Sequence, residues 1–201
     1  MNLGPPATPG TETPAARLPG RVVTPRLVLR RWQHDEGTIA SAAITSSLEH
    51  LRPWMPWIKS EPLTPAERVQ LIEDWTRQWE DGGDVTYGVF LDGEVVGGAG
   101  LHHRQGPASL DIGYWIHVDH VRKGFATELT AALTSTAFDI DGIEVVHVQT
   151  DEANEASAAV PAKLGFTRAQ VITREPEAPA ESGRLIDWTV TANAWATRAS
   201  N

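Results

Sequence analysis

A single mixed α/β domain is predicted by three features of the sequence. Segments of period-two alternation mark strands, capped helical segments lie between them, and their order lacks the regular βα repetition of a doubly wound or barrel fold. The order reads β–α–α–β–β–β–α–β–α–β–β. A length of 201 residues suits one domain, and 41% hydrophobic residues suffice for its core.

Residues 1–20 are rich in Pro, Gly, Thr and Ala without hydrophobic periodicity, which predicts a disordered tail ahead of a domain at 21–197. Residues 26–32 alternate apolar and polar side chains and form the first strand. Residues 36–51 read as helix, broken into two short pieces. The prolines of Arg52-Pro-Trp-Met-Pro-Trp57 then forbid regular helix. Thr64-Pro65-Ala66-Glu67 is a capping box with proline at the first helical position. Val69, Ile72, Trp75 and Trp79 make one apolar helical face, which Gly82-Gly83 ends.

Strands at 86–91 and 94–102 flank Asp92-Gly93, a two-residue hairpin turn. A fourth strand spans 109–118. A helical pattern from Lys123 runs through Leu129 and Leu133 and stops near Gly142. A valine-rich strand at 143–150, a helix at 154–164 closed by Gly165, a strand from Phe166 and a last strand centred on 187–191 complete the chain.

The net charge of −9, with no Lys/Arg stripe, disfavours nucleic-acid binding and suits a cationic partner. No apolar run is long enough to cross a membrane, so no membrane partner is expected. The N-terminus has no basic region followed by an apolar one, and the cytoplasm is the expected location. The absence of cysteine excludes disulfides, thiolate metal sites and a cysteine nucleophile. His102 and His103, adjacent on a strand, point to opposite faces and cannot chelate one ion together, so no metal is expected. Most of the eight tryptophans belong to the core.

The chemistry concentrates in two stretches. Asp111-Ile-Gly-Tyr-Trp-Ile-His-Val118 is a strand leading through a short loop into Arg122-Lys-Gly-Phe-Ala-Thr-Glu-Leu129, which enters a helix. A glycine turn at a helix start exposes unpaired N–H groups at the positive end of the dipole, a ready site for a pyrophosphate. Gly124 permits close approach, Ala126 keeps the first turn thin, and Arg122 and Lys123 add positive charge. The second stretch, Asn154-Glu-Ala-Ser157 through Lys-Leu-Gly-Phe166, begins on an N-capping Asn. Pro161 cannot donate to the carbonyl of Ser157, which is left free for another partner.

With these two stretches, the opening Thr-Pro-Arg-Leu-Val-Leu-Arg and the Leu-Arg-Pro-Trp-Met-Pro-Trp segment, the sequence resembles the GNAT (GCN5-related N-acetyltransferase) superfamily and its RimJ/RimL-like branch, from about Thr24 to Trp195. The resemblance implies a bacterial acetyltransferase with a mixed, mostly antiparallel six- to seven-stranded sheet, about four flanking helices, and a bulged fourth strand that splays from the fifth. Acetyl-CoA would be the acyl donor, its pantetheine arm lying in the splay against the backbone of Trp115, Ile116, His117 and Val118. The pyrophosphate loop maps to Arg122, Lys123, Gly124, Phe125, Ala126 and Thr127, with Val121 standing where the family pattern has Gln or Arg. Asn154 would bond the pantetheine, and Ser157 would sit near the sulfur and return its proton.

The acceptor amine must lose a proton before it attacks, which calls for a general base. The resemblance points first to Asp111, ahead of Gly-Tyr-Trp on the fourth strand; a cross-strand salt bridge is its structural alternative. His147 is the second candidate base, and a structural histidine its alternative. Trp54 and Trp57 fall in the loop that overhangs the acceptor site in this branch, as aromatic walls for an amine or as a staple on the core. The acceptor is a protein or peptide N-terminus or a small-molecule amine. Transfer from a longer acyl-CoA and non-catalytic acyl-CoA sensing are the alternative functions. A homodimer formed through the strand around Trp188 is a further expectation. A Rossmann dinucleotide site is excluded, because no Gly-x-Gly-x-x-Gly follows the first strand.

Overall fold

The computed structural model describes residues 18–199. Its elements are β1 (Arg21–Val23), β2 (Val28–Arg31), α1 (Gly37–Leu51), α2 (Pro65–Glu80), β3 (Val85–Leu91), β4 (Glu94–His102), β5 (Ser109–Ile116), α3 (Phe125–Phe138), β6 (Val145–Asp151), α4 (Glu155–Lys163), β7 (Thr167–Thr173), β8 (Arg184–Thr191) and α5 (Ala192–Ala199). The strands form one sheet in the order β1-β2-β3-β4-β5-β6-β8-β7. Neighbours are antiparallel except β5 and β6.

The mixed α/β architecture is as predicted, with particular differences. The sheet has eight strands because Arg21–Val23 pairs with β2 ahead of the expected first strand. A fifth α-helix, α5, follows β8 and returns to the core through Trp195, whose ring meets Phe166 and whose indole N–H donates to Ser135 Oγ at 3.0 Å. The expected helical region is one helix, Gly37–Leu51, after a short 3-10 turn at His34–Glu36, and not two, since burial of Ala40, Ala43, Ile44, Ser47 and Leu51 on a continuous stripe overrides the weak local propensity of its Ser and Thr. Of the expected tail, residues 1–17 lie outside the described residues. Leu18–Gly20 do not belong to a tail. Leu18 is 2% exposed, its carbonyl accepts from the Trp79 indole, and that of Pro19 accepts from Tyr87 Oη at 2.6 Å.

The capping box of α2 forms as read: Glu67 N–H donates to Thr64 Oγ1 and Thr64 N–H to Glu67 Oε2. Within that helix Arg68 is buried against Glu61, both carboxylate oxygens within reach of one guanidinium nitrogen. On one sheet face α3 and α4 bury Leu110, Ile112, Val146 and Val148 with Leu129, Leu133, Val160 and Leu164. A leucine buried this fully contributes about 1.5–3 kcal/mol. On the other face α1 and α2 cover Trp32, Phe90 and Trp115 with Ile44, Leu51 and Ile72. β8 lies between β6 and β7, so the strand around Trp188 has both edges paired and offers none for a second copy; among the described residues the edge strands are β1 and β7. No helix among the described residues is long and apolar enough to cross a membrane.

Candidate active site

The site begins where two parallel neighbours part. β5 and β6 pair at Ser109↔Val145, Leu110↔Val146 and Asp111↔His147, and there the ladder stops. β5 runs on along β4 to Ile116↔Gly97, and β6 along β8 to Asp151↔Leu185. Each is held on its outer edge, so the two diverge and leave a gap. The splay is therefore present. The β4–β5 ladder keeps constant register throughout, and the bulge of this region lies between β3 and β4 at Val89/Phe90.

His117 N–H donates to Val96 O at 2.9 Å. Alternate residues of an antiparallel strand address opposite neighbours, so Trp115 directs its backbone groups to β4, as His117 does its N–H while its carbonyl accepts from His120 N–H at 2.8 Å, and Ile112, Tyr114 and Ile116 direct theirs into the gap. Of the four residues expected along the gap, Ile116 presents its backbone there. Val118 lies past the strand end in a 3-10 turn, with its N–H on Ser47 Oγ at 3.2 Å. An unpaired strand edge binds an extended ligand as it would another strand.

At the open end of β5 the loop enters α3. Gly124 is the N-cap at φ 82, and Arg122 takes φ 60, a left-handed conformation costly for a residue with a Cβ. No side chain caps the helix, so its first N–H groups face outward with Arg122 and Lys123 beside them. The loop is braced from the β1–β2 turn, a connection not read from the sequence. Arg26 donates to Lys123 O at 3.0 Å and to Glu128 Oε2 at 2.6 Å, and lies 4.6 Å from the Phe125 ring centre. Burial alone would raise the Glu128 carboxyl; hydrogen bonds from Thr24 and Arg26 outweigh it and hold the group below its usual range.

The start of α4 closes the gap on the α3 side. Asn154 Oδ1 accepts from Ser157 N–H at 3.1 Å. Tyr114 Oη donates to Ser157 O at 3.2 Å and lies 3.3 Å from Ser157 Oγ. The carbonyl that Pro161 leaves without a helical donor thus has a phenol as its partner. Burial pushes the Tyr114 hydroxyl up to about 12, against a small opposing effect of Ser157, and the group stays protonated at neutral pH.

On the other face, Asp111 and His147 form the last rung before the gap. Asp111 is 4% exposed and its Oδ2 is buried without a hydrogen-bond partner. Burial pushes its carboxyl above the usual range, with Asp187 adding to the rise and His147 and Arg104 opposing it. His147 Nδ1 lies 3.0 Å from Asp187 Oδ1, and Gln170 Nε2 donates to Asp187 Oδ2 at 3.3 Å. Across β4, His102 stands opposite Asp111 with its Nδ1 2.9 Å from Asp84. His103 falls just past the end of β4, so its ring also reaches Asp84, at 3.4 Å, and the two rings do not diverge as their strand parity predicted. Among the described residues no group of three or more His, Asp or Glu side chains converges as a metal site. The Trp115 indole extends this face, and Trp57, 39% exposed, packs 6.4 Å from it. Trp54 is half-buried in the same loop, which Ala180 N–H joins to the β7–β8 connection through Pro53 O.

The sequence reading missed Tyr114 and Asp187. Tyr114 shares the parity of the core residues Leu110 and Ile112, which would have turned it toward α4. Asp187 is an acidic residue alternating with Ile186 and Trp188, but its partner is 40 positions away. A cavity of about 380 Å³ lies elsewhere, at the β1–β2 turn against the β3–β4 hairpin, lined by Thr24, Arg26, Arg30 and Phe90.

Comparison with known proteins agrees with this geometry. YdaF of Bacillus subtilis (strain 168), provisionally named a ribosomal N-acetyltransferase, is 27% identical over 145 residues, 72% of this chain and 79% of that protein. Mycobacterium smegmatis RimJ in complex with CoA-disulfide superimposes with a TM-score of 0.77 at 22% identity, over 90% of this chain and 92% of that one. RimL, a ribosomal L7/L12 alpha-N-protein acetyltransferase in complex with coenzyme A, gives 0.77 at 16% identity, over 89% and 99%. The acetyltransferase (GNAT) domain matches residues 26–167, which contain β5, the glycine turn, the splay and α4. That match spans most of the chain, and the chain belongs to the GNAT acetyltransferases.

Proposed function

We propose that this protein transfers an acetyl group from acetyl-CoA to a primary amine by direct attack, and that a protein or peptide N-terminus is its acceptor. The observation that carries this reading is the parting of β5 from β6 after Asp111↔His147, with the glycine turn of α3 at its open end. In this reading the gap-facing edge at Ile112, Tyr114 and Ile116 holds the pantetheine arm, and residues 122–127 hold the pyrophosphate. A gap-facing N–H of β5 faces the oxyanion that develops on the thioester carbonyl. Ser157 Oγ and Tyr114 Oη hold the proton that the departing sulfur takes.

Asp111 and His147 at the apex are the groups that accept the amine proton, and Trp57 and Trp115 form an aromatic wall on the acceptor side. The peptide acceptor is favoured by the ribosomal-protein activity in the relatives' names and by a net charge of −9, which attracts cationic termini. Release of free thiol from acetyl-CoA, measured against a panel of basic peptides and small amines, tests the proposal. Acceptor-dependent release with peptides is expected. Calorimetric binding of CoA with no release across the panel would instead favour a sensor. Loss of CoA binding in Gly124→Val, where a β-branched residue meets φ 82, is expected if the turn grips the pyrophosphate.

A further inference from the structure

Asp187 is 2% exposed in the middle of β8, and an aspartate so placed needs partners to offset its lost hydration. It has two, and they are unequal. Gln170, its cross-strand neighbour on β7, donates to Oδ2 at 3.3 Å, and His147 on β6 approaches Oδ1 at 3.0 Å. The carboxylate accepts only, so the hydrogen between Nδ1 and Oδ1 belongs to the imidazole. A neutral ring with its proton on Nδ1 has its lone pair on Nε2. β6 lies between β8 and the gap, so His147, with 13% of its side chain exposed against 3% for Asp187, stands between the buried acid and the gap.

We propose that Asp187 is a positioning residue: it holds His147 in the Nδ1–H tautomer, with Nε2 free to take the proton of the acceptor amine. This rests on the acetyltransfer reading and decides between its two candidate bases. As the N–C bond forms, the acceptor nitrogen gives its proton to Nε2. The C–S bond breaks with its electron pair on sulfur, which takes a proton from Ser157 or Tyr114, and solvent returns the proton from His147. The imidazolium formed is faced by Asp187 from β8 and Asp111 from β5, and the amide of Gln170 from β7 holds the other oxygen of Asp187. Arg104 in the β4–β5 loop and His102 on β4 lie beyond Asp111. Two carboxylates thus stand near one imidazole, and Asp111, whose buried Oδ2 has no hydrogen-bond partner, serves as a fixed charge.

The test compares wild type with Asp187→Asn, His147→Gln and Asp111→Asn in acetyl transfer from acetyl-CoA to a peptide, across pH. Asp187→Asn should lower kcat about 10- to 100-fold, the usual size for loss of an orienting partner, with CoA binding unchanged by calorimetry. Without its anion the imidazole holds a proton less firmly, so the acidic limb of the pH profile should move to lower pH. Imidazole ¹⁵N spectra should show the Nδ1–H tautomer at His147 in wild type and its loss in Asp187→Asn, a readout independent of turnover and of folding yield. A wild-type profile in Asp187→Asn, or full activity in His147→Gln, overturns the proposal. Absence of transfer by wild type with every acceptor refutes the functional reading, while the tautomer measurement still stands.

Discussion

Gly98→Ala tests whether Trp115 is seated where the acceptor wall requires it. Gly98 and Trp115 are cross-strand partners on β4 and β5, and the indole lies back across the glycine. A Cβ at position 98 would stand 3.1 Å from Trp115 Cε2 and 3.2 Å from Cδ1, with Nε1 nearer still, where ordinary contact begins at 3.4 Å. The ring cannot slide freely, because it is packed against Ile44, Leu51 and Ile58 on one side and Trp57 on another. Overpacking of this kind costs about 1–3 kcal/mol, and alanine in a strand recovers roughly 0.5–1 kcal/mol relative to glycine. The net is about 1 kcal/mol, or a fall of about 2–4 °C in Tm for a chain of this size. The tilted indole should raise the KM for a peptide acceptor several-fold and leave CoA affinity within about twofold. Thermal melts, steady-state kinetics and calorimetry read the three quantities. Trp115→Phe frees room for the new methyl, so the double variant should show a coupling of at least about 0.5 kcal/mol in stability. Unchanged Tm and acceptor KM in Gly98→Ala would refute the seating of Trp115 and the aromatic wall built on it.

Two further substitutions probe the apex and the loop. Burial holds the Asp111 carboxyl above its ordinary value, so the folded state loses stability relative to a neutral side chain as pH rises past 3.8 and the carboxylate must ionise in place. Asp111→Asn should therefore melt higher than wild type at neutral pH, transfer acetyl more slowly, and lose its Tm advantage as pH falls toward 3.8 in melts across pH. Arg122→Gly removes a left-handed arginine worth about 1–2 kcal/mol of strain, part of it returned as unfolded-state entropy. Its Tm should rise while CoA binding weakens and becomes less salt-sensitive in calorimetry; unchanged CoA affinity would mean that Arg122 faces no phosphate.

How legible the molecule was in its sequence depended on how local each determinant is. The α2 cap was readable because Thr64 and Glu67 satisfy each other within one turn. The hairpin was readable because Asp92 and Gly93 both adopt positive φ, as a two-residue turn of that type requires. α1 reads as broken because Thr45, Ser46 and Ser47 are poor helix formers, and only burial against the sheet, invisible in a local window, keeps it whole. β1 is three residues long and takes its register from β2. The gap was expected through the resemblance, but which backbone groups face it depends on the phase of the β4–β5 ladder, which His117 and Val96 set across 21 positions. The acid–imidazole pair at the apex needed the crossover that brings β8 beside β6.

One local signal did reach into the site, and it supports a last prediction. Proline inside α4 removes the N–H that would have served Ser157 O, and Tyr114 Oη takes that carbonyl from across the gap. Pro161→Ala restores the helical donor. A proline in a helix interior is about 3 kcal/mol worse than alanine, and losing about two buried methylene groups returns roughly 1.6 kcal/mol of that, so the variant should be more stable by about 1 kcal/mol. The carbonyl has a second lone pair, and Tyr114 is not expelled outright. It must share the acceptor, though, and its hydrogen bond to the helix weakens, leaving Ser157 Oγ as its firmer contact. The proton donor for the departing thiolate is then less well placed, and kcat should fall a few-fold although the protein is more stable. Tyr114→Phe decides the matter: if proline reserves the carbonyl for the phenol, removing the hydroxyl costs less kcat in the Pro161→Ala background than in wild type. Equal losses in both would separate Pro161 from the chemistry and leave it a packing residue of α4.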